Sequence, residues 1–484
     1  MPASGRSSDS AGFGRRALRG AAWSALETLG VSGVALIVSV VLARVLTPAE
    51  FGMIAMLQIF VAVSHVLVDS GFSSALIRCR RTALHESTAL LLNTAVGLGI
   101  YAVLYLSAPM VADFYGTPSL APVMRTLTLA IPLNAVCVVQ VARLTAEMKF
   151  RHLCAVNGAA AVVSAATGLI LAFAGYGVWA LVWQQLSVWG TRTLLLWLTL
   201  RWTAPLRWGT REFREMSGFG WKLLVSSLID SLWNNIYAPV LGRCFSLKAT
   251  GWYWRADTLA MYGPVTLSTM LSRVAYPVFC RISADRLRMS EAMRRLIGVS
   301  AWVVFPFMAL AMALAEPLFS LVLTDKWLPA VPYFRLLCAA AALYPLHALN
   351  LAALNASGRS DLFLRLEIVK KCLGAAMLVA TIPLGVWWVC AGILIFNIIC
   401  VPVNGAYART YAGMSWLRQW TVALPMAVSA AVGAMLAYLV CKLQMADWLR
   451  IAAGASVMAL CYLAAGALWR WRWYDELKRL LDNG

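Results

Sequence analysis

Residues 43–52 read ARVLTPAEFG, and the fold hangs on that string. It sets an arginine, a proline and a glutamate between two apolar runs, each long enough to cross the hydrocarbon of a bilayer as a helix. Proline and glutamate are residues that open a helix, so the string reads as a tight corner between two spans. A second string, GRCFSLKATG at 242–251, repeats it at an offset of 199 residues and pairs Arg44 with Arg243 and Gly52 with Gly251.

Working outward, the same pattern of apolar run and short polar corner fills the chain. Its 484 residues are 61% hydrophobic and 13% charged, with a mean hydropathy of +0.74. That is far too apolar for a soluble domain, so an all-α polytopic membrane protein is expected. About 14 spans are predicted, near 18–42, 51–72, 87–111, 121–145, 153–174, 178–200, 216–241, 252–279, 297–323, 331–356, 366–383, 387–408, 420–441 and 449–469. The first 20 residues are polar and basic, and the apolar segment after them is full length, so span 1 is expected to stay rather than be cleaved as a signal peptide.

Basic residues fall in alternate connections. The rich set holds the N-terminal tail, Arg78/Arg80/Arg81, Lys149/Arg151, Arg201 to Arg214, Arg281 to Arg295, Arg359 to Lys371 and the C-terminal tail. By the positive-inside rule these face the cytoplasm, with both termini. The net charge of +20 thus follows topology, and nucleic acid is not an expected partner. The 11 cysteines show no paired spacing, so neither a disulfide framework nor a metal site is expected. No connection exceeds about 20 residues, and no usable P-loop, GxSxG, HExxH or GxGxxG constellation occurs, so no catalytic residue and no cofactor is assigned.

The echo of the corner extends. APVMR (121–125) answers VPYFR (331–335), Lys149 answers Arg359, and GVWA (177–180) answers GVWW (385–388), at offsets of 208–210. Together these predict a duplication of six spans in parallel orientation, with spans 13 and 14 added. The expected organisation is a tail (1–17), an N-lobe (18–200), a linker (201–215), a C-lobe (216–409), the added pair (410–470) and a second tail (471–484).

Polar and charged residues at membrane depth point at function. Span 1 carries Glu27; span 2 carries Gln58, His65 and Asp69 on one face; span 7 carries Asp230 and Asn234; span 8 carries Arg255, Tyr262, Thr266 and Arg273. Glu27, Asp69 and Asp230 suit ion coupling, or local pairing between helices. Arg44, Arg78, Arg243, Arg255 and Arg273 suit phosphate recognition by forked hydrogen bonds, or anchoring at the interfaces. His65 and Asp69 also form an HxxxD string used by some acyltransferases, a reading disfavoured inside a span.

The phrases LARVLTPAEFG, GFSSALIR (71–78), MKF (148–150), GYGVWALV (175–182), GWYWRA (251–256) and DKWLPAVPYFRLL (325–337) resemble the pattern of Wzx-type polysaccharide flippases, in the exopolysaccharide branch related to the colanic acid exporter. That branch lies in a superfamily with the lipid II flippase and the multidrug and toxin extruders. The resemblance covers essentially the whole chain and implies two six-helix lobes, with spans 1, 2, 7 and 8 lining a basic cavity. It implies an undecaprenyl-diphosphate-linked oligosaccharide as substrate, moved from the cytoplasmic to the periplasmic leaflet of the inner membrane by alternating access. Polymerase and glycosyltransferase partners of the same pathway go with it. Tyr253 departs from the small residue that the resemblance leads one to expect before Trp254 and Arg255. The competing readings are a cation-coupled drug antiporter of the same superfamily and a membrane enzyme of polysaccharide assembly.

Overall fold

A computed structural model describes residues 30, 33–69, 76, 82–200, 206–283, 285–443 and 445–468, without the side chains of 219, 220, 222, 223, 273, 274, 360, 361 and 468. The elements described are all helical, and nine among them are long and apolar enough to cross a membrane. The chain divides into two compact units, Met1–Gly251 and Trp252–Gly484.

Unit 1 contains α1 (Gly33–Val45), α2 (Pro48–Asp69), α3 (Ala83–Phe114), α4 (Leu120–Leu127), α5 (Ala130–Ala146), α6 (Phe150–Phe173), α7 (Val178–Thr199), α8 (Thr210–Asn235), α9 (Tyr237–Cys244) and the start of α10 (Leu247–Ile282). Helices α6 and α7 pack side by side because α6 presents small residues every fourth position, Ala160, Ser164, Gly168 and Ala172, all buried. Small residues let membrane helices approach closely. Gly168 lies against Gln184, and the Ser164 hydroxyl donates to the Gln184 carbonyl at 2.9 Å.

Unit 2 continues α10 and adds α11 (Arg286–Ala313), α12 (Val331–Ala342), α13 (Tyr344–Ala356), α14 (Ser360–Thr381), α15 (Val386–Tyr411), α16 (Trp416–Cys441) and α17 (Asp447–Leu468), with short helical turns over Ala315–Ala330. Its core joins Met289, Ile297 and Ala301 of α11 to Ala423, Met426 and Ala430 of α16 and Met458 of α17. One polar contact crosses that core: the side-chain amides of Asn350 and Gln419 donate to each other reciprocally at 2.8 Å. Each thereby satisfies a group that would be costly to bury alone.

Three echoes of the sequence are backbone facts. Gly177 and Gly385 both take positive φ, 57° and 109°, immediately before α7 and α15. Met148 and Gly358 also take positive φ, 54° and 74°, before α6 and α14. The arginines of APVMR and VPYFR do the same work: Arg125 Nε donates to the Tyr105 carbonyl and Arg335 Nε to the Met312 carbonyl, each at 3.2 Å.

Spans 4, 7 and 10 are broken rather than continuous. The breaks fall at Thr128–Leu129, Ile236 and Leu343, and in each case a proline follows within three residues: Pro132, Pro239 and Pro345. Proline is tolerated in a helix's first turn, where its missing N–H leaves no bond unmade. Span 11 starts six residues earlier than its apolar run suggested: α14 begins at Ser360, which places Arg365 inside the helix along with Glu367, Lys370 and Lys371.

Candidate functional site

The opening corner explains its own residues. Proline stands at the first position of α2, and the Thr47 N–H and hydroxyl both donate to Glu50 Oε2, at 2.6 and 2.9 Å. This is the back-bond of a capping box. In the echo, the Ser246 hydroxyl accepts from the Ala249 N–H at 3.1 Å and starts α10. The two corners meet through their glycines. A Cβ on Gly251 would fall on the Pro48 carbonyl oxygen, and one on Gly52 would fall on the Leu247 carbonyl oxygen. Only glycine permits two helix starts to approach so closely.

Arg44 and Arg243 lie at these corners and are exposed. The Arg243 guanidinium stacks 5.0 Å above the ring of Phe114, the last residue of α3. Tyr115 follows; burial pushes its phenol above the ordinary value, and the charge of Arg243 acts in the opposite direction. From Tyr115 an apolar slot of about 720 Å³ runs between α2, α3 and α8–α9, lined among others by Phe60, Val63, Ile100, Val103 and Leu232. Its walls run over Ile59 to Leu67 of α2 and Val96 to Leu104 of α3, about 12 Å of each helix, with Tyr115 at one end. A side chain at Gly99, on its wall, would meet nothing within 4 Å.

Deeper in unit 1, Asn134 and His65 pair through Nδ2 and Nδ1 at 2.8 Å, and the His65 ring lies 4.6 Å from that of Trp189. Arg192 sits 5.4 Å over Trp189. Gln58 Oε1 and His65 Nε2 are buried without a hydrogen-bond partner among the described residues. Asp69 ends α2 half-buried, and Asp230 is half-buried on α8 with Asn234 exposed nearby. Sequence reasoning passed over Asn134, Trp189 and Arg192. A lone arginine inside an apolar span was signal enough for the last.

In unit 2, Arg255 is 2% exposed on α10, while Tyr262 and Thr266 are half-buried further along it, Thr266 donating to the Tyr262 carbonyl at 2.7 Å. Arg273 lies on α10, two turns past Thr266. Asp257, also on α10, was not singled out from the sequence. A second histidine site repeats the first: Asn404 Nδ2 and His347 Nδ1 lie 3.0 Å apart, and His347 Nε2 and Asn404 Oδ1 are buried without a hydrogen-bond partner among the described residues. Across α14, Glu367 pairs with Lys370 and, at 3.8 Å, with Lys371. Glu27 and Arg78 lie outside the described residues. No cluster of metal-ligating side chains occurs among the described residues.

A multi-pass helical membrane protein with broken spans and buried polar pairs is thus the class defined. The fold is shared with a solved lipid II flippase, MurJ in its inward closed conformation, at a TM-score of 0.77 and 12% identity over 94% of this chain and 99% of that one. The chain belongs to the polysaccharide biosynthesis protein family, whose pattern matches residues 41–332. It is similar to the lipopolysaccharide biosynthesis protein WzxC of Escherichia coli K12, at 25% identity over 87% of this chain and 88% of that protein. It is also similar to the teichuronic acid biosynthesis protein TuaB of Bacillus subtilis 168, at 25% identity over 93% and 95%.

Proposed function

We propose that the chain is a flippase that carries an undecaprenyl-diphosphate-linked oligosaccharide repeat unit from the cytoplasmic to the periplasmic leaflet by alternating access. The carrying observation is the nearly full-length similarity to proteins of cell-surface polysaccharide assembly, on a chain with the fold of a lipid II flippase. The apolar slot of unit 1 supports a lipid-linked cargo. Its walls are apolar, and Tyr115 and the cation Arg243 lie at its end. A hydrocarbon tail gains free energy wherever apolar surface leaves water, and an anionic phosphate gains it beside a guanidinium.

In this reading both termini are cytoplasmic and the Arg44 and Arg243 corners periplasmic. Arg44, Arg78, Arg243, Arg255 and Arg273 are the candidates for receiving the diphosphate. Gln58, His65, Asn234, Tyr262 and Thr266 provide polar lining, and Asp69, Asp230 and Glu27 are the candidates for ion coupling. Polymerase and glycosyltransferases of the same pathway are the partners.

Deleting the gene in its host tests this. Lipid-linked repeat units should accumulate on the cytoplasmic face and surface polysaccharide should disappear; unchanged surface polysaccharide overturns the proposal.

A further inference from the structure

Between α10 and α13 of unit 2 lies a pocket of about 400 Å³, inside the size range of small-molecule sites. Its lining is rich in hydroxyls: Ser268, Thr269, Ser272 and Tyr276 from α10, and Tyr344 from α13, with Ala348 one turn beyond Tyr344. Ser268, Ser272 and Tyr276 recur at a spacing of four, which stacks them on one face of the helix. Thr266 and Thr269 turn their hydroxyls back onto carbonyls of their own helix, Tyr262 and Val265. Ser268 does not: its Oγ is buried, the residue is 3% exposed, and that oxygen has no partner among the described residues. Pro277 also lacks the N–H that would have bonded the carbonyl four residues earlier, which leaves an acceptor on the turn between Ser272 and Tyr276.

The chemistry narrows the occupant. A hydroxyl both donates and accepts, so several of them together match a ligand that does the same. An acyl chain would leave the Ser268 oxygen buried and unsatisfied, at a cost. A phosphate would call for a cation, and no charged side chain lines the pocket among the described residues. The two tyrosines add apolar ring faces with polar tips, suited to a flat ring that carries hydroxyls on its rim.

We infer that this pocket is a saccharide subsite, holding a neutral pyranose ring of the substrate's glycan. The inference rests on the proposed flippase reading and locates one part of its cargo. Counted along α10, the pocket runs from about 9 to 21 Å from the Ile282 end. That end is cytoplasmic in the proposed orientation, so the subsite lies on the side from which cargo loads.

The test places the photoreactive amino acid p-benzoylphenylalanine at Ala348 of the full chain in its host membrane. After illumination, mass spectrometry of the cross-linked peptide should find a carbohydrate adduct. No adduct, or one carrying only a phospholipid, overturns the subsite. In parallel, Ser268→Ala, Ser272→Ala and Tyr344→Phe each remove one hydroxyl with almost no change of shape. Each should lower surface polysaccharide about fivefold at normal protein level, and Ser268→Thr should restore it. If all three variants export normally while the gene deletion abolishes export, the subsite falls and the flippase reading stands. If the deletion itself leaves polysaccharide unchanged, both fall.

Discussion

The glycine contact between the two corners makes the sharpest prediction, because two effects of opposite sign compete there. Replacing a helical glycine by alanine ordinarily stabilises by up to about 1 kcal/mol, since glycine is the more flexible in the unfolded chain. At Gly251 the added methyl would coincide with the Pro48 carbonyl oxygen, and at Gly52 with that of Leu247. Both obstacles are backbone, so no side chain can swing aside. The helix starts must separate by on the order of an ångström, which forfeits a quarter to a half of the dispersion energy of each contact along the seam. Overpacking of this kind costs about 1–3 kcal/mol, so Gly251→Ala and Gly52→Ala should be net destabilising by about 1–2 kcal/mol. Gly158→Ala is the control, because a Cβ there meets nothing within 4 Å, and it should be neutral or stabilising. Thermal unfolding of purified protein in one detergent, with the three variants side by side, reads the difference. A Gly251→Ala protein as stable as Gly158→Ala would refute the close approach.

Other expectations follow from the same geometry. Arg125→Gln and Arg335→Gln each remove a charge-assisted bond to a backbone carbonyl of the preceding helix and should cost about 1.5–3 kcal/mol in the same assay; equal loss in both would match their equivalent roles. Gly99→Trp fills the slot without meeting other atoms first, so it should reduce export at least tenfold at normal protein level, and full export would remove the lipid-tail role of the slot. Glu367→Gln leaves Lys370 and Lys371 without their shared carboxylate, which should cost about 2 kcal/mol. The double change with Lys370→Gln should recover part of that, and no recovery would mean that the pair is not the cause. Glu27→Gln and Asp230→Asn should each impair export without loss of protein; normal export in both removes ion coupling through these carboxylates.

How legible all this was depended on which physical signal each feature used. Span existence follows from apolar length, and the corners follow from Pro48, Glu50 and Gly52, so both could be read directly. Short phrases of the expected repeat, such as GVWA and GVWW, were noticeable because they hold special backbone, the positive φ of Gly177 and Gly385. The breaks at Leu129, Ile236 and Leu343 were missed although a proline follows each. Prolines such as Pro109, Pro264 and Pro402 lie inside unbroken helices, so proline by itself did not discriminate. The basic residues of α14 read as part of a connection, because a run of charges looks like a loop until Glu367 is seen to pair with Lys370 and Lys371 on the helix itself. The hydroxyl face of Ser268, Ser272 and Tyr276 needed the neighbouring helix to become a pocket, and Tyr344 lies about 70 residues further on.

The reciprocal amide bond of Asn350 and Gln419, and the Tyr462 hydroxyl that donates to the Trp302 carbonyl at 3.0 Å, have a consequence for how the protein is made. The packing face of α11 is completed by α16 and α17, which leave the ribosome well after it. More than 100 residues separate the end of α11 from the start of α16, so at bacterial rates that face waits in the membrane for on the order of 5–20 s. A chain that stops before Trp416 therefore carries α11 without the helices that finish its core, and Asn350, which keeps its bond to the Leu346 carbonyl, lacks the Gln419 amide.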